Sequence, residues 1–588
     1  MKIPQLDRAR TLAGILLFGL LAMTARNAVD PDLWWHLRTG QWIVETGHIP
    51  HADPFSFTRA GSPWVSHEWL SEVAFYEIWK YAGAAGLIIF SAVVTTAGFM
   101  LLYLRCPGKA QGAAAAALAL GALAAAPAWG VRPQMFTFAL ASLLLWLLER
   151  GQERARLLLW IPPLFLLWLN LHAGFALGPA LLFACCVGLV WEVASGNTAW
   201  QDVRPYLVRV LLVLLACMAL VPLNPSGAQL YRYPLDVLRS AGMRSFIVEW
   251  LPPDFHQLRY VPLFLIWLAL LVALGSSRSR PKARVLAPVF LTFLAAMDAV
   301  RHIPILALFA TPVIAAIFSA PSSRAHFSPE RSPRPSSAFR LAFRGVVLLL
   351  MAGFAVTRWH SLVRNQVRTE AELFPSQAVE FLRSHPVPGR LFAYYDWGGY
   401  AIWKLYPEYR VFVDGRADLY GDDLLHQFQK AMELQAGWEQ ILDTWGVQTV
   451  LVPPTCSLAE ALLLDEGWHA EYRDSQAVLL LRIHPTSENT GVFRNLPRQR
   501  ANSKNVYRST PESAKLPSEN PFPPSDRGEN KGGSRKQCTN AVPKSVLWPA
   551  TARLIPPGWR RGPTRSGTFE ANFGGRNDER SGQTVVAQ

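Results

Sequence analysis

The chain has 588 residues, of which 51% are hydrophobic and 17% are charged, and its net charge is +15 at pH 7. This balance is too apolar for an ordinary soluble protein of that length. A positive net charge can indicate a nucleic-acid partner, but here much of the excess lies in short loops and in the C-terminal tail. Membrane topology and lipid headgroups account for it, so no nucleic-acid partner is predicted.

The apolar residues form runs of about 16 to 24 residues, the length that crosses a bilayer as a helix. Hydropathy predicts about eleven membrane spans, at residues 11–28, 83–104, 110–129, 133–149, 157–171, 174–194, 206–223, 260–275, 284–300, 302–319 and 341–357. The first run lacks a small-residue cleavage site after it, so we expect a retained helix. The six cysteines have no metal-ligand spacing, and they predict neither a disulfide nor a zinc site.

Basic residues in the loops set the predicted topology. Lys2, Arg8 and Arg10 precede the first span, and further Lys and Arg residues follow the second, fourth, eighth and tenth spans. All of them fall on one side of the membrane if the N-terminus is cytoplasmic, as the positive-inside rule requires. An odd number of spans then places residues 29–82, 224–259 and everything after residue 357 on the external face.

This pattern predicts a transmembrane domain at 1–357, a small external α/β domain at 358–485 and a tail at 486–588. In the external domain, helical spacing marks SQAVEFLRSH and DLLHQFQKAMEL, while RVFVDG and TVLVPP are typical of strands. The tail is rich in Ser, Pro, Asn, Arg and Gly and has few apolar anchors. We therefore predict that it is disordered and basic.

The densest polar and aromatic chemistry directly follows the first span, in VDPDLWWHLRTG. Pro31 prevents that span from continuing as a regular helix, so Asp30 and Asp32 are predicted on a turn at the external interface. Trp34 and Trp35 suit headgroup depth and are predicted to anchor this turn in the membrane. Acids held there would lie at the depth of a lipid phosphate.

Other polar candidates fall on the same face by the predicted topology. They are His36, His67 and Glu68 in the first loop, and Arg132, Asn170, His172, Arg301 and His302 at span ends. Arginine suits phosphate because its planar fork gives two charge-assisted hydrogen bonds. Each candidate also has a structural interpretation, as a snorkelling arginine or as a side chain that satisfies backbone groups at a tight turn. DGRAD, from Asp414, is best interpreted as a turn with an internal Arg–Asp pair.

Several motifs together resemble the GT-C superfamily of integral-membrane glycosyltransferases, which includes the protein O-mannosyltransferases and the lipid A aminoarabinose transferases, and in particular its uncharacterised bacterial members. They are DPDLWWHLRTG, SHEWL, GVRPQMF, DWGGYAIW and VFVDGRADLYG. The long first external loop with an Asp motif at its start, the many spans and the external C-terminal domain are similar as well. The resemblance covers about residues 1–485 in architecture but only these short motifs in sequence. It implies a polytopic α-helical protein of the bacterial inner membrane, with a periplasmic C-terminal domain.

The activity that this resemblance implies is transfer of a hexosyl or pentosyl group from a polyprenyl-phosphate donor to an acceptor on the external face. Such enzymes usually invert the anomeric centre in a single displacement, in which a first-loop carboxylate takes the proton of the acceptor. Asp30 matches the first acid of the superfamily's motif and is implied as that base. Asp32 is implied as its partner, and Glu68 is a second candidate for the base.

Cationic groups stabilise the departing phosphate in this scheme, and Arg132, Arg301 and His302 are the implied donor-phosphate ligands. The chain has Asp-Pro-Asp where the O-mannosyltransferases have adjacent Asp and Glu, which leaves the base and any metal requirement open. Asp30 and Asp32 are therefore also candidate ligands for a divalent cation such as Mg or Mn. No other cofactor is predicted.

Two further functions are compatible with the sequence. A transporter or flippase of lipid-linked saccharides would also have many spans, although we find no clear internal repeat and few ionisable residues in mid-span. A non-catalytic scaffold that presents the external domain leaves the acids of the first loop unexplained. Convergence of Asp30, Arg132 and Arg301 on one cavity is what the glycosyltransferase hypothesis requires.

Overall fold

The computed structural model describes residues 7–106, 111–276, 283–319, 337–387 and 389–483. The predicted tail at 486–588 lies outside these residues, as do several of the basic loop residues used to predict topology. Within the described part the chain is mainly helical, and the four strands lie near its C-terminal end. Nineteen α-helices are described: α1 Arg8–Thr24, α2 Pro31–Thr46, α3 Trp69–Arg105, α4 Gln111–Ala125, α5 Gln134–Gly151, α6 Ile161–Leu171, α7 Leu177–Ala194, α8 Trp200–Leu220, α9 Tyr233–Arg239, α10 Ala241–Phe246, α11 Val261–Ser276, α12 Ala283–Asp298, α13 Ile303–Phe318, α14 Ser337–Leu373, α15 Ser376–Ser384, α16 Tyr395–Leu405, α17 Ala417–Met432, α18 Trp438–Thr444 and α19 Ser457–Leu464.

Each of the eleven predicted spans overlaps one of these helices. By length and composition, seven of the described helical segments can cross a membrane, and two shorter apolar segments accompany them. The chain is thus a multi-pass α-helical membrane protein, while the count of eleven spans stays a prediction.

The break after the first span follows from its local sequence. Helix α1 ends at Thr24, and Asp30 caps the next helix with its carboxylate, which accepts a hydrogen bond from the Asp32 amide at 3.0 Å. Pro31 takes the first position of α2, where its missing N–H is not needed. Pro31 therefore starts a helix here, and Asp32 lies in the first turn of α2 instead of on the predicted irregular turn.

The predicted first loop, 29–82, is largely helical. After α2 an irregular segment leads to α3, which begins at Trp69 and continues into the second predicted span. Gly83 interrupts α3 with a φ of 56°, a left-handed conformation that glycine adopts without steric cost. This break lies at the predicted start of the span.

Helix α14 is a continuous helix of 37 residues, so the last predicted span, 341–357, has no structural end at residue 357. Its C-terminal half reaches the strands, where Gln476 donates a hydrogen bond to the Glu372 carbonyl at 2.5 Å. The C-terminal region is thus connected to the last span by helix and not by a loop.

The C-terminal region contains one four-stranded sheet in the order β1-β2-β4-β3, made of β1 Arg390–Ala393, β2 Val447–Val452, β3 Trp468–Arg473 and β4 Val478–Arg482. Strands β1 and β2 are parallel, and the other pairs are antiparallel. The predicted helix at SQAVEFLRSH and the predicted strand at TVLV are confirmed as α15 and β2. The predicted strand at RVFVDG is wrong: Val411 forms only isolated bridges with Ser56 and Leu391.

A buried ion-pair cluster fastens the segment between α2 and α3 to this C-terminal region. The Arg416 guanidinium donates to Asp53 at 2.7 Å and to both oxygens of Asp414, at 2.8 and 2.6 Å. Arg416 is only 1% exposed and also stacks on Trp64, with its Cζ 4.6 Å from the ring centroid. The predicted Arg–Asp turn is therefore confirmed, and it also reaches across to the first loop.

Trp34 and Trp35 do not anchor the protein in the membrane, contrary to prediction. Trp34 is fully buried, and its ring makes edge contacts with Phe374 and Tyr400 at centroid distances of 5.4 and 5.0 Å. Trp35 packs against Trp64, 6.4 Å between centroids. Both rings are covered because the C-terminal region packs onto α2.

Candidate functional site

Three carboxylates converge on one guanidinium just beyond the end of α1. Arg132 lies 3.5 Å from Asp30 Oδ1 through Nε and 2.8 Å from Asp32 Oδ2 through Nη2, and its Nη1 contacts Glu249. The side chains of Asp30, Asp32 and Arg132 are 17%, 24% and 19% exposed. They are thus partly accessible, as a reacting group must be. The predicted convergence of Asp30 and Arg132 is present in the structure.

Two glycines make this close approach possible. A methyl group at Gly130 would lie 3.2 Å from Asp30 Oδ2, and one at Gly415 would lie 2.0 Å from Asp32 Oδ1. Any side chain at Gly415 would therefore displace Asp32. The GVRPQ motif and the DGRAD motif each supply one of these glycines.

The backbone just before Asp30 is fixed by α14. The Gln366 side chain accepts a hydrogen bond from the Ala28 amide at 3.0 Å and donates one to the Ala28 carbonyl at 2.8 Å. Asn27 donates to the Leu362 carbonyl at 2.9 Å. Gln366 is buried, so it satisfies two backbone groups that would otherwise have no partner.

Burial raises the pKa of Asp30 to about 7, and the Arg132 guanidinium opposes part of that rise. Asp32 and Glu249 add to it, because each disfavours a further negative charge nearby. Burial also raises the pKa of Asp32 above its usual value. A carboxylate whose pKa lies near neutrality can both accept and release a proton under physiological conditions.

Asp396 is a further carboxylate of this site, which the sequence analysis did not single out. It lies in the first turn of α16, in DWGGYAIW, and burial raises its pKa to about 7, with Asp32 and Asp30 adding to the rise. Gly399, on the same helix, packs directly on α2, since a methyl group there would lie 2.8 Å from the Pro31 carbonyl oxygen. The sequence signal that could have identified Asp396 is an acid at the start of a helix with a Gly-Gly pair two residues after it.

Arg301 and His302 lie beside the cluster on a short 3₁₀ turn between α12 and α13. The Arg301 guanidinium stacks on Trp250, 4.2 Å from the ring centroid. Trp250 directly follows Glu249 in the sequence. In the part of the chain that the structure describes, Arg301 has no ion pair within 4.0 Å. His302 donates from Nδ1 to the Ala295 carbonyl at 3.0 Å and faces the edge of Trp250, so one of its nitrogens is already committed.

A second cluster surrounds Glu68. The carboxylate of Glu68 lies 3.1 Å from His67 Nε2, 3.5 Å from His172 Nε2 and 3.6 Å from His36 Nε2. The other nitrogen of His36, Nδ1, lies 3.5 Å from Glu72. Because His36 follows Asp32 by one turn of α2, this cluster adjoins the Asp30 site. All of the predicted first-loop candidates are therefore brought to one region.

Hydrogen-bond geometry assigns the charge states of two of these histidines. His67 has the Val65 carbonyl 3.0 Å from Nδ1 and Glu68 at Nε2, so both of its nitrogens must carry a hydrogen. Burial alone lowers the pKa of His67, but Glu68 outweighs it and raises that pKa to about 9. His172 Nδ1 accepts from the Gly174 amide at 3.0 Å, and burial lowers the pKa of His172 to about 4, so this histidine is neutral.

The pKa of Glu68 follows from these neighbours. Burial raises it, but the charged His67 outweighs the burial, and the pKa lies well below its usual range. Glu68 is therefore ionised at every physiological pH and is a poor general base. Asn170 takes part in a hydrogen-bond network, since its Oδ1 accepts from Trp69 at 2.8 Å and from Asn224 at 3.1 Å.

The predicted divalent cation has a competitor in this arrangement. Asp30 and Asp32 direct carboxylate oxygens at Arg132, so the guanidinium lies where a metal bridging the pair would have to lie. Over the described residues, no group of three or more His, Cys, Asp and Glu side chains is placed to hold a metal ion. The pair as arranged does not fit a cation, and binding one stays a prediction that would require Arg132 to move.

The fold and the site define a multi-pass membrane protein with an acidic centre, clamped by one arginine and covered by a small α/β region. Two solved structures are similar to it. The archaeal oligosaccharyltransferase AglB from Archaeoglobus fulgidus, solved with an inhibitory peptide and a dolichol-phosphate, has a TM-score of 0.48 and 13% identity, over 75% of this chain and 69% of its own. ArnT from Cupriavidus metallidurans, solved with undecaprenyl phosphate, has a TM-score of 0.45 and 14% identity, over 80% of this chain and 97% of its own.

Both of these proteins are GT-C superfamily membrane glycosyltransferases, the superfamily that the sequence motifs resemble. No family model and no curated protein matches the chain. The likeness to the two structures is one of overall arrangement at low identity, and it assigns no residue, substrate or reaction to this chain.

Proposed function

We propose that the protein is a glycosyltransferase that moves a sugar from a polyprenyl-phosphate donor to an acceptor on the external face of the membrane. The observation that carries this proposal is the convergence of Asp30 and Asp32 on Arg132 just beyond the end of α1, beside Arg301. At headgroup depth, a carboxylate can deprotonate the nucleophile of an acceptor, and a nearby cation can stabilise the phosphate that leaves the donor.

Asp30 is the proposed base. Its pKa of about 7 means that a substantial fraction is ionised at neutral pH and that it still binds a proton readily. It takes the proton of the acceptor as the acceptor attacks the anomeric carbon. The bond from that carbon to the phosphate oxygen breaks in the same step, which inverts the centre.

The two arginines have different proposed roles. Arg132 is already neutralised by Asp30, Asp32 and Glu249, so it positions these carboxylates more than it attracts a phosphate. Arg301 stacks on Trp250 and has no ion pair within 4.0 Å among the residues that the structure describes. Arg301 is therefore the first candidate to receive the negative charge of the departing phosphate.

Purified protein in proteoliposomes tests this function. Undecaprenyl-phosphate-linked sugars and a membrane extract as acceptor source are supplied, and release of undecaprenyl phosphate is measured. Asp30→Asn should lower the rate by about 10²-fold or more, and Arg301→Gln should lower it chiefly at limiting donor. Asp254→Asn, which removes an acid that is 48% exposed, is the matched control and should be active. Full activity of the inserted Asp30→Asn protein would contradict the proposed role of the base.

A further inference from the structure

The segment that joins α1 to Asp30 runs along one face of α14. Ala28 pairs with Gln366, and Asn27 donates to the carbonyl of Leu362 at 2.9 Å. Leu362 and Gln366 are four residues apart and lie on one face of the helix. One step back along the segment, from Ala28 to Asn27, thus corresponds to one turn back along α14.

The next step back along the segment leads to Arg26 and the next turn back along α14 leads to Arg358, and the charges of these two arginines are close enough to act on each other. The Arg26 guanidinium also lies over Trp129, with its Cζ 5.9 Å from the ring centroid. Two cations thus lie near each other where the end of α1 meets α14, beside the indole of Trp129.

Neither cation is paired with an acidic residue in the part of the chain that the structure describes. No acidic side chain lies within 4.0 Å of Arg26 or Arg358 anywhere in the described ranges, and Arg26 Nε is buried without a hydrogen-bond partner. Adjacent arginines without a counter-ion are unfavourable unless an anion joins them. A snorkelling arginine would direct its guanidinium into water, whereas that of Arg26 is held against an indole.

The depth of the pair indicates the kind of anion. Arg26 is the first charged residue after the uncharged run 11–25, and Arg358 is the first after the uncharged run 345–357. Both therefore lie at the boundary where apolar helix gives way to headgroups. Lipid phosphates occupy that depth, and a planar guanidinium binds phosphate through paired hydrogen bonds.

We propose that Arg26 and Arg358 form a lipid-phosphate site, separate from the carboxylate site around Arg132. The shared chemistry is a phosphate ester at headgroup depth, from an anionic phospholipid or from a polyprenyl phosphate. This site does not depend on the proposed glycosyl transfer, because it rests on different residues. A phosphate bound there would hold α14 and the end of α1 together, next to Asp30.

Native mass spectrometry of the full chain tests the site with three probes: phosphatidylglycerol, phosphatidylcholine and undecaprenyl phosphate. Wild-type protein should retain phosphatidylglycerol over phosphatidylcholine. The double variant Arg26→Gln, Arg358→Gln should lose about tenfold or more in affinity for the retained phosphate lipid. Arg383→Gln, which removes an exposed charge on α15, is the matched control and should bind as wild type does.

Competition between the probes distinguishes an anionic phospholipid from a polyprenyl phosphate as the occupant of the site. Displacement of phosphatidylglycerol by an equimolar amount of undecaprenyl phosphate identifies the carrier as the preferred occupant, and retention identifies the phospholipid. Equal binding of phosphatidylglycerol and phosphatidylcholine by wild-type protein would overturn the site without any variant. Equal retention of the phosphate lipids by the double variant and Arg383→Gln would also overturn it.

Discussion

Removal of Arg132 should make Asp30 harder to ionise. In the folded protein Arg132 lies 3.5 Å from Asp30, and its positive charge opposes the rise in pKa that burial causes. At an effective dielectric constant of about 20, two unit charges about 4 Å apart interact by about 4 kcal/mol, equivalent to about three pH units. Both side chains keep some contact with solvent, so we expect Arg132→Gln to raise the pKa of Asp30 by about one to two pH units.

The pKa of Asp30 can be measured without a substrate. A hydrophobic carbodiimide reacts with protonated carboxyl groups, and peptide mass spectrometry reports the labelled fraction of Asp30 between pH 5 and pH 10. The midpoint in wild-type protein should lie near pH 7, the value to which burial raises the pKa of Asp30, and labelling should fall above it. Arg132→Gln should move the midpoint upward, whereas Arg132→Lys, which keeps the charge, should move it less.

Two results would refute this reasoning. A wild-type midpoint near pH 4 would mean that Asp30 is solvated like an ordinary surface acid. An unchanged midpoint in Arg132→Gln would mean that the guanidinium does not act on Asp30 in the membrane. Arg383→Gln, which removes an exposed charge on α15, controls for the loss of one positive charge from the whole protein.

Three further outcomes follow from the structure. Arg416→Met leaves two buried carboxylates without a cation and should cost about 3–5 kcal/mol of stability, measured by denaturant unfolding; a loss below about 1 kcal/mol would contradict a dry ion-pair cluster. The pKa of His67 is raised to about 9, so its ion pair stabilises the folded protein fully below about pH 6.5 and loses that effect as the pH rises through 9. The difference in Tm between wild type and His67→Asn should therefore shrink from pH 6 to pH 10, and a constant difference would exclude the charged pair. Gly399→Ala places a methyl group 2.8 Å from the Pro31 carbonyl and should move the midpoint of Asp30 labelling, whereas Gly353→Ala, in open space on α14, should not.

Much of the site could be predicted because its parts adjoin membrane spans. The distribution of basic residues among the loops assigned Asp30, Arg132 and Arg301 to one face of the membrane, and the structure places them in one cluster. Glu249 could not be predicted, because it lies 117 residues from Arg132 in a loop without regular periodicity. Asp396 lies still further along the chain, and only the packing of α16 on α2 brings it to the site.

The wrong predictions have a common physical cause. Trp34 and Trp35 were assigned to the membrane interface by a rule that holds for tryptophans exposed to lipid. Here the C-terminal region covers α2, and this tertiary contact turns interface residues into core. RVFVDG has the composition of a strand, but its partners Ser56 and Leu391 come from different parts of the chain and pair with it at a single residue.

The central claim is that a polyprenyl phosphate enters the acidic centre beside Asp30. A cryo-EM structure of the protein with undecaprenyl phosphate tests it most directly. We expect the phosphate within salt-bridge distance, about 4 Å, of the Arg301 guanidinium and on the same side of the bundle as Asp30. A phosphate bound on the opposite face of the membrane, away from Arg301 and Asp30, would contradict the account.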